Sequence, residues 1–373
     1  MVATAVLATT AGVLPGFLTG AVAVQLGEDL GVGPATTGAL AAVFFAVAAV
    51  ASGPGGGLAE RLGAVVSIRA AMGVTAAVLV TLALIAHEPV QLGAGLAVAG
   101  AANGVVQPAV NALLVGAVRP ARRGLAFGIK QSGVPASTLL GGLAVPTLAV
   151  TWGWRPAFAA GAAVALTAAV VVHGQGPALR TQVAAASRVL SARLLTVAVA
   201  TGLGSASASV LGVFTVASAV SGDVAPSTAG LLLTLGSLTA IAVRVILGWV
   251  TDRAGGGFGT VAAMLAAGSV GYCLLAASGA LWLGLGVFVA FSLGWGWNGV
   301  LNFAVADSHA GRPAAATGIT QAGVYAGGTA GPAAFGAAAE VFGFPPAWLG
   351  TAAVSLLAAA LMFVGHRLAP RLP

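Results

Sequence analysis

The chain has 373 residues, 59% of them hydrophobic and only 6% charged, with a formal net charge of +7. A soluble domain carries about 25% charged residues. This composition cannot coat a water-facing surface, which excludes a water-soluble globular protein and leaves lipid as the solvent. Glycine contributes 56 residues, and small residues let membrane helices approach closely. The single cysteine, Cys273, excludes an intramolecular disulfide. The arginines are scattered rather than gathered in one patch, so the basic balance does not point to nucleic acid. The N-terminus lacks a basic leader and its first apolar run is full length, which argues against a secretory signal.

A helix needs about 20 apolar residues to cross a bilayer, and each spanning segment must satisfy its own backbone. The runs are apolar on all sides, without the alternation of a membrane β-barrel. Broken at charges and Pro/Gly clusters, the first half gives spans near 4–26, 35–58, 65–86, 92–118, 125–150 and 156–173. A polar stretch, 174–193, follows, with Pro177 and three arginines. Its middle, Thr181–Ala192, reads equally as a short helix on the inner membrane surface or as a solvated linker. The second half gives spans near 194–219, 228–250, 259–279, 281–306, 315–338 and 347–366.

With the N-terminus inside, twelve arginines fall on the cytoplasmic side and Arg155 alone outside. That bias predicts a multi-pass plasma-membrane protein with both termini cytoplasmic. Every acidic residue falls in a loop or at a span end. Two basic residues, Lys130 and Arg244, fall within spans.

The halves repeat. Gly56, Glu60, Arg61 and Gly63 match Gly248, Asp252, Arg253 and Gly255 at an offset of 192. Gly128–Val134 (GIKQSGV) matches Gly318–Val324 (GITQAGV) at 190, and Asn103–Val105 matches Asn298–Val300 at 195. Six spans per copy is an even number, so both copies face the same way, as in the parallel repeats of one large transporter fold. The expected fold is an all-α membrane protein of twelve transmembrane helices in two pseudo-symmetric six-helix bundles. The expected domains are 1–173, a cytoplasmic linker 174–193, and 194–373.

Six-plus-six spans, a central linker and G-x-L-A-[DE]-R-x-G between spans two and three resemble the major facilitator superfamily over essentially the whole chain. The sequence departs where that family usually carries a basic pair, at Ala64 and Val65. The resemblance implies a secondary transporter that rocks two bundles about a cavity lined by spans one, four, seven and ten, with help from two, five, eight and eleven. It also implies a conformational lock of Gly56, Glu60 and Arg61 with Gly248, Asp252 and Arg253. The competing account of those charges is topology anchoring. R-x-x-x-G-x-x-x-D-R, starting at Arg244, is similar to the carboxylate-carrying branches, the monocarboxylate and oxalate–formate types, where an arginine of span eight binds the substrate carboxylate.

Arg244 is the first candidate for substrate binding, because an intramembrane charge is costly and a guanidinium fork suits a carboxylate. It lies about six residues, or about 9 Å, from the predicted inner end of span eight, close enough to snorkel instead. Lys130, the only lysine, carries the same two readings. Asn103, Gln107 and Asn111 share one helical face at i, i+4, i+8, and Asn298 and Asn302 repeat the first two on span ten. These amides read as cavity lining or as interhelical glue. Gln131 and Gln321 are repeat-related, and Tyr325 lies one turn beyond Gln321. Trp295 and Trp297 either wall the cavity or pack. Pro15, Pro108, Pro135, Pro146 and Pro332 permit kinks.

The four histidines are scattered at span ends, no phosphate loop is present, and no acid/base or metal set is visible. The chain therefore reads as a non-enzyme without cofactor or metal. Its expected partners are a small-molecule substrate and the lipid bilayer, with no nucleic acid, and it is expected to act as a monomer. The function expected is secondary transport of a small organic anion, a carboxylate first. The alternative is a proton-coupled exporter of drugs or other cationic or neutral molecules. Such carriers usually need an acid within the spans, and Asp307, at the inner end of span ten, is the nearest candidate.

Overall fold

The computed structural model describes residues 1–118, 123–173, 191–254, 256–309 and 313–368. No strand occurs among them. Span one is Val2–Ala21, span two Pro34–Leu62, span three Ala64–Ile85 and span four Pro89–Ala117. Span five covers Leu125–Trp152 and span six Trp154–Val171. Span seven is Ala192–Ser221, span eight Pro226–Ala254 and span nine Phe258–Leu275. Span ten covers Ala280–Ser308, span eleven is Pro313–Phe342 and span twelve Phe344–Arg367.

Eleven of these are long and apolar enough to cross a membrane. Span eleven has 30 residues, about 45 Å at 1.5 Å per residue, but glycine, threonine and Gln321 dilute its hydropathy. The polar stretch from 174 to 190, with most of the expected surface helix, lies outside the described residues.

Local chemistry sets the ends. Proline opens spans two, four, eight and eleven, where its missing N–H costs nothing. Glu88 and Gln91 form a reciprocal capping box at the start of span four. Single glycines, Gly63, Gly153 and Gly343, turn the chain between spans two and three, five and six, and eleven and twelve. Their φ values are 87°, 77° and 83°, a region that favours glycine.

The sequence predicted an unbroken span one to residue 26. The helix instead breaks at Val22 and resumes as Ala23–Leu30. Spans five and ten are also interrupted. Span five breaks at Ser132 and widens into a π-helical turn at Val145–Ala149, around Pro146. Span ten has a π-helical turn at Ala290–Gly294 and restarts at Asn298.

The two bundles meet along two repeat-related seams, span five on span eight and span two on span eleven, with span one against span seven between them. Near the ends remote from Met1 both seams are tight. A Cβ on Gly230 would lie 2.7 Å from the Gly142 carbonyl oxygen, and one on Gly38 would strike the Pro332 carbonyl. These two pairs are equivalent under the 192 and 190 offsets. Near the opposite ends the seams differ. Gly128 and Gly248 stay close, with a Cβ on Gly128 3.6 Å from the Gly248 Cα. Their equivalents have parted: a Cβ on Gly318 meets nothing within 4 Å, and one on Gly56 meets only Pro108 of span four.

Candidate functional site

A cavity of about 630 Å³ lies between the bundles. Spans one, two, four, five, seven, eight, ten and eleven all reach it. Of the expected site residues it is lined by Asn103, Gln107, Lys130, Gln131, Arg244, Asn298, Gln321 and Tyr325. Asn111 and Trp295 line it as well. Asn302, one turn nearer than Asn298 to the end of span ten at Ser308, is not among the lining residues.

Lys130 is 3% exposed and does not snorkel. Its Nζ donates to Gln107 Oε1 at 2.7 Å and Gln131 Oε1 at 3.2 Å. Gln107 Nε2 in turn donates to Asn103 Oδ1 at 3.2 Å. Both glutamines turn their oxygens to the ammonium, the arrangement a cation requires.

Arg244 lies farther from the end of its helix than the predicted six residues. Span eight continues helically through Asp252 and Arg253 to Ala254, so Arg244 lies ten residues before its end, about 15 Å. It is 1% exposed. Nη1 donates to the Gln131 carbonyl at 2.6 Å and Nη2 to the Trp295 carbonyl at 2.8 Å. The guanidinium carbon sits 5.4 Å from the Trp295 ring centroid, within cation–π range. Nε has no hydrogen-bond partner, and neither has the buried Tyr325 hydroxyl.

The sequence reading missed several wall residues. Phe17 packs edge-on against Phe45 and Trp295, with centroids 5.5 and 5.6 Å apart, joining spans one, two and ten above the polar groups. Ser205 and Ser209 bring span seven to the cavity. On an Ala/Gly-rich helix such hydroxyls usually back-bond to their own chain, so nothing in the sequence singled them out.

Among the described side chains, Glu60, Arg61 and Arg253 form no cross-bundle ion pair with one another. Glu60 and Arg61 are exposed. Arg253 donates to the Trp249 carbonyl of its own helix and covers the Trp249 ring at 3.9 Å. The side chain of Asp252 lies outside the described residues. Gly56 and Gly248 occupy the parted and the closed seam, respectively, at the ends nearer Met1.

No cluster of His, Cys, Asp and Glu suited to a metal occurs among the described residues. The ion pair they do contain is remote from the cavity: Arg155 Nη1 and Asp29 Oδ2, 2.6 Å apart at the far surface. Trp154 Nε1 also donates to Asp29. These donors, with the tryptophan hydrogen bond first, hold the Asp29 carboxyl below its usual range. Arg155, the exception to the arginine bias, is thus a neutralised one.

Comparison with known proteins agrees with this architecture. The profile of the Major Facilitator Superfamily matches residues 2–184. That match covers just under half of the chain and marks its N-terminal half as similar to that superfamily. No curated protein matches its sequence. The nucleoside transporter NupG, solved as a point mutant, superposes with a TM-score of 0.75 at 13% identity, covering 97% of this chain and 98% of that one. A bacterial homologue of the human lysosomal transporter Spinster, solved inward-facing and occupied, superposes at 0.77 and 14% identity, covering 98% and 96%. At these identities the likeness concerns the fold. The chain has many helices long and apolar enough to cross a membrane, and its fold is that of the transporters it superposes on.

Proposed function

We propose that this chain carries a small organic anion, a carboxylate first, across the plasma membrane by alternating access, with both termini cytoplasmic and the halves 1–173 and 194–373 rocking as a monomer. One observation carries the reading. Two buried cations, Lys130 and Arg244, line one cavity, and no acidic side chain is among its lining residues. A buried cation without a counterion favours an anionic ligand. Arg244 also retains an N–H, on Nε, with no acceptor. The cavity lining gives a proton-coupled exporter no carboxylate to titrate, and Asp307 is not part of it.

In this mechanism Arg244 and Lys130 hold the carboxylate. Asn103, Gln107, Gln131, Asn298, Gln321 and Tyr325 surround the rest of the ligand, and Phe17, Phe45 and Trp295 close its far end. Neutralising the two cations lowers the cost of burying them as the parted seam shuts. Glu60, Arg61, Asp252 and Arg253, with Gly56 and Gly248 allowing close approach, then pair across the inner face in the opposite state.

Uptake into proteoliposomes tests the site. Arg244→Gln is expected to lower uptake of the transported anion by about 10- to 100-fold, the scale of a charge-assisted hydrogen bond. Unchanged uptake of every transported anion would remove Arg244 from the site. A thermal-shift panel of organic anions and cations tests the substrate class, and stabilisation by cations alone would overturn it.

A further inference from the structure

The hydrogen bond between Arg244 and Gln131 crosses from one bundle to the other. Arg244 stands on span eight and Gln131 on span five. In an unbroken helix the Gln131 carbonyl accepts from the N–H four residues on. That residue is Pro135, which has no N–H. The carbonyl is therefore available, and Arg244 Nη1 takes it at 2.6 Å. The next carbonyl along, on Ser132, is served normally by Ala136 N at 3.0 Å.

The internal repeat provides a control. The offset of 190 that pairs Gln131 with Gln321 sets Tyr325 in the place of Pro135. The offset of 192 sets Ser52 in the place of Arg244. Tyr325 carries an N–H and lies within the helix of span eleven. Ser52 bonds to its own helix, donating to the Ala49 carbonyl at 2.8 Å. The proline and the arginine are thus present together at one seam and absent together at the other. The seam that has them is closed at its inner end, at Gly128–Gly248, and the seam that lacks them is parted.

We infer that Pro135 is a positioning residue for Arg244. By leaving the Gln131 carbonyl without a helical donor, it gives the guanidinium a perch on the opposite bundle. That bond ties the inner ends of spans five and eight together while those of spans two and eleven stand apart. On the anion reading of Arg244, on which this last step rests, a bound carboxylate competes with the Gln131 carbonyl for the guanidinium and loosens the tie as the substrate is captured.

The tie is tested on the empty, full-length protein. Cys273 is exposed, so the background is Cys273→Ser, with Gly128→Cys as a reporter buried in the closed seam. A Cβ there makes only ordinary contacts, 3.5 Å from the Arg244 carbonyl oxygen and 3.6 Å from the Gly248 Cα. Maleimide alkylation is timed with Pro135 and Arg244 intact, with Pro135→Ala, with Arg244→Gln, and with both. Each single substitution is expected to speed alkylation by on the order of tenfold, as loss of one charge-assisted hydrogen bond allows. The double variant is expected to match the singles, since both changes cut one bond. A kink-only role for the proline gives effects that multiply. Multiplying effects, or no effect of Pro135→Ala, would overturn the inference. No substrate is present, so failure of the anion reading leaves this result intact.

Discussion

The five–eight seam and the two–eleven seam are built from equivalent positions and put to different use. At the far end, Gly142 on Gly230 matches Pro332 on Gly38. One turn inward, Thr138 Oγ1 and Ser237 Oγ share a hydrogen bond of 2.7 Å. Their equivalents are Gly328 and Phe45, where a ring lies over a glycine instead. Further in, Arg244 grips the Gln131 carbonyl on one side, and Ser52 leaves Gln321 alone on the other. The symmetric positions are small residues whose job is close helix approach. The asymmetric ones bring charge and a missing N–H. The scaffold of the fold is thus duplicated, while both buried cations, Lys130 and Arg244, sit on the five–eight seam.

The largest expected contrast comes from adding one methyl at the tight far end of the five–eight seam and one at the parted end of the two–eleven seam. In Gly142→Ala the new Cβ falls 2.6 Å from Thr234 Oγ1 and 2.7 Å from the Gly230 carbonyl oxygen, so the helices must separate. Thermal unfolding in detergent should show a loss of about 1–3 kcal/mol. Gly318→Ala meets nothing within 4 Å and replaces a helical glycine, so it should stabilise by up to ~1 kcal/mol. Equal effects of one sign would mean that the tight far end and the parted end of the two–eleven seam do not differ as described. The hydroxyl pair comes next. Thr138→Ala and Ser237→Ala should each cost about 1 kcal/mol and together little more, because they share one bond. Full additivity would argue against that shared bond.

A smaller effect belongs to the other seam. Glu340 of span eleven accepts from Ala35 N at 3.2 Å, at the N-terminus of span two. A carboxylate there meets free N–H groups and the positive end of the helix dipole. Its repeat-related position on span five is Val150, so the five–eight seam has no such cap. Glu340→Gln should lower stability by about 0.3–1 kcal/mol, falling with added salt. A salt-insensitive loss would point to packing rather than charge.

Much of this was legible in the sequence, for identifiable reasons. Charges and Pro/Gly clusters punctuate apolar runs, and that marked the passages to within a few residues. Repeated short strings marked the two copies and, through Ser52, the uniqueness of Arg244. What failed were features that depend on neighbours. Asp252 and Arg253 looked like the end of a helix, yet they form its last turn, which leaves Arg244 ten residues from the helix end. Asn302 shares a pattern with Gln107, but span ten restarts at Asn298 and delivers only its first residue to the cavity. The Gln131 carbonyl was invisible as an acceptor, because a backbone group has no letter of its own. Pro135 was noted only as a kink, although its missing N–H is what frees that carbonyl.

The smallest predicted effect serves as a control, because it lies on neither seam. Asp29 follows span one, and its partners Trp154 and Arg155 begin span six, all within the N-terminal half. Both partners of the ion pair are partly exposed, at 33% and 44%. Asp29→Asn should therefore cost less than ~1 kcal/mol and leave the Gly128→Cys alkylation rate unchanged. The cost should also depend on pH in one direction. The folded carboxyl titrates below its ordinary value of 3.8, so its contribution is complete above that value and fades as pH falls through the lower one. Melting curves of the two proteins should differ near neutral pH and converge in acid. A difference that persists after the folded carboxyl is fully protonated would assign the effect to the shape of the side chain and not to its charge. A changed alkylation rate would mean that the far surface and the five–eight seam are coupled, and that the tie at Arg244 does not act alone.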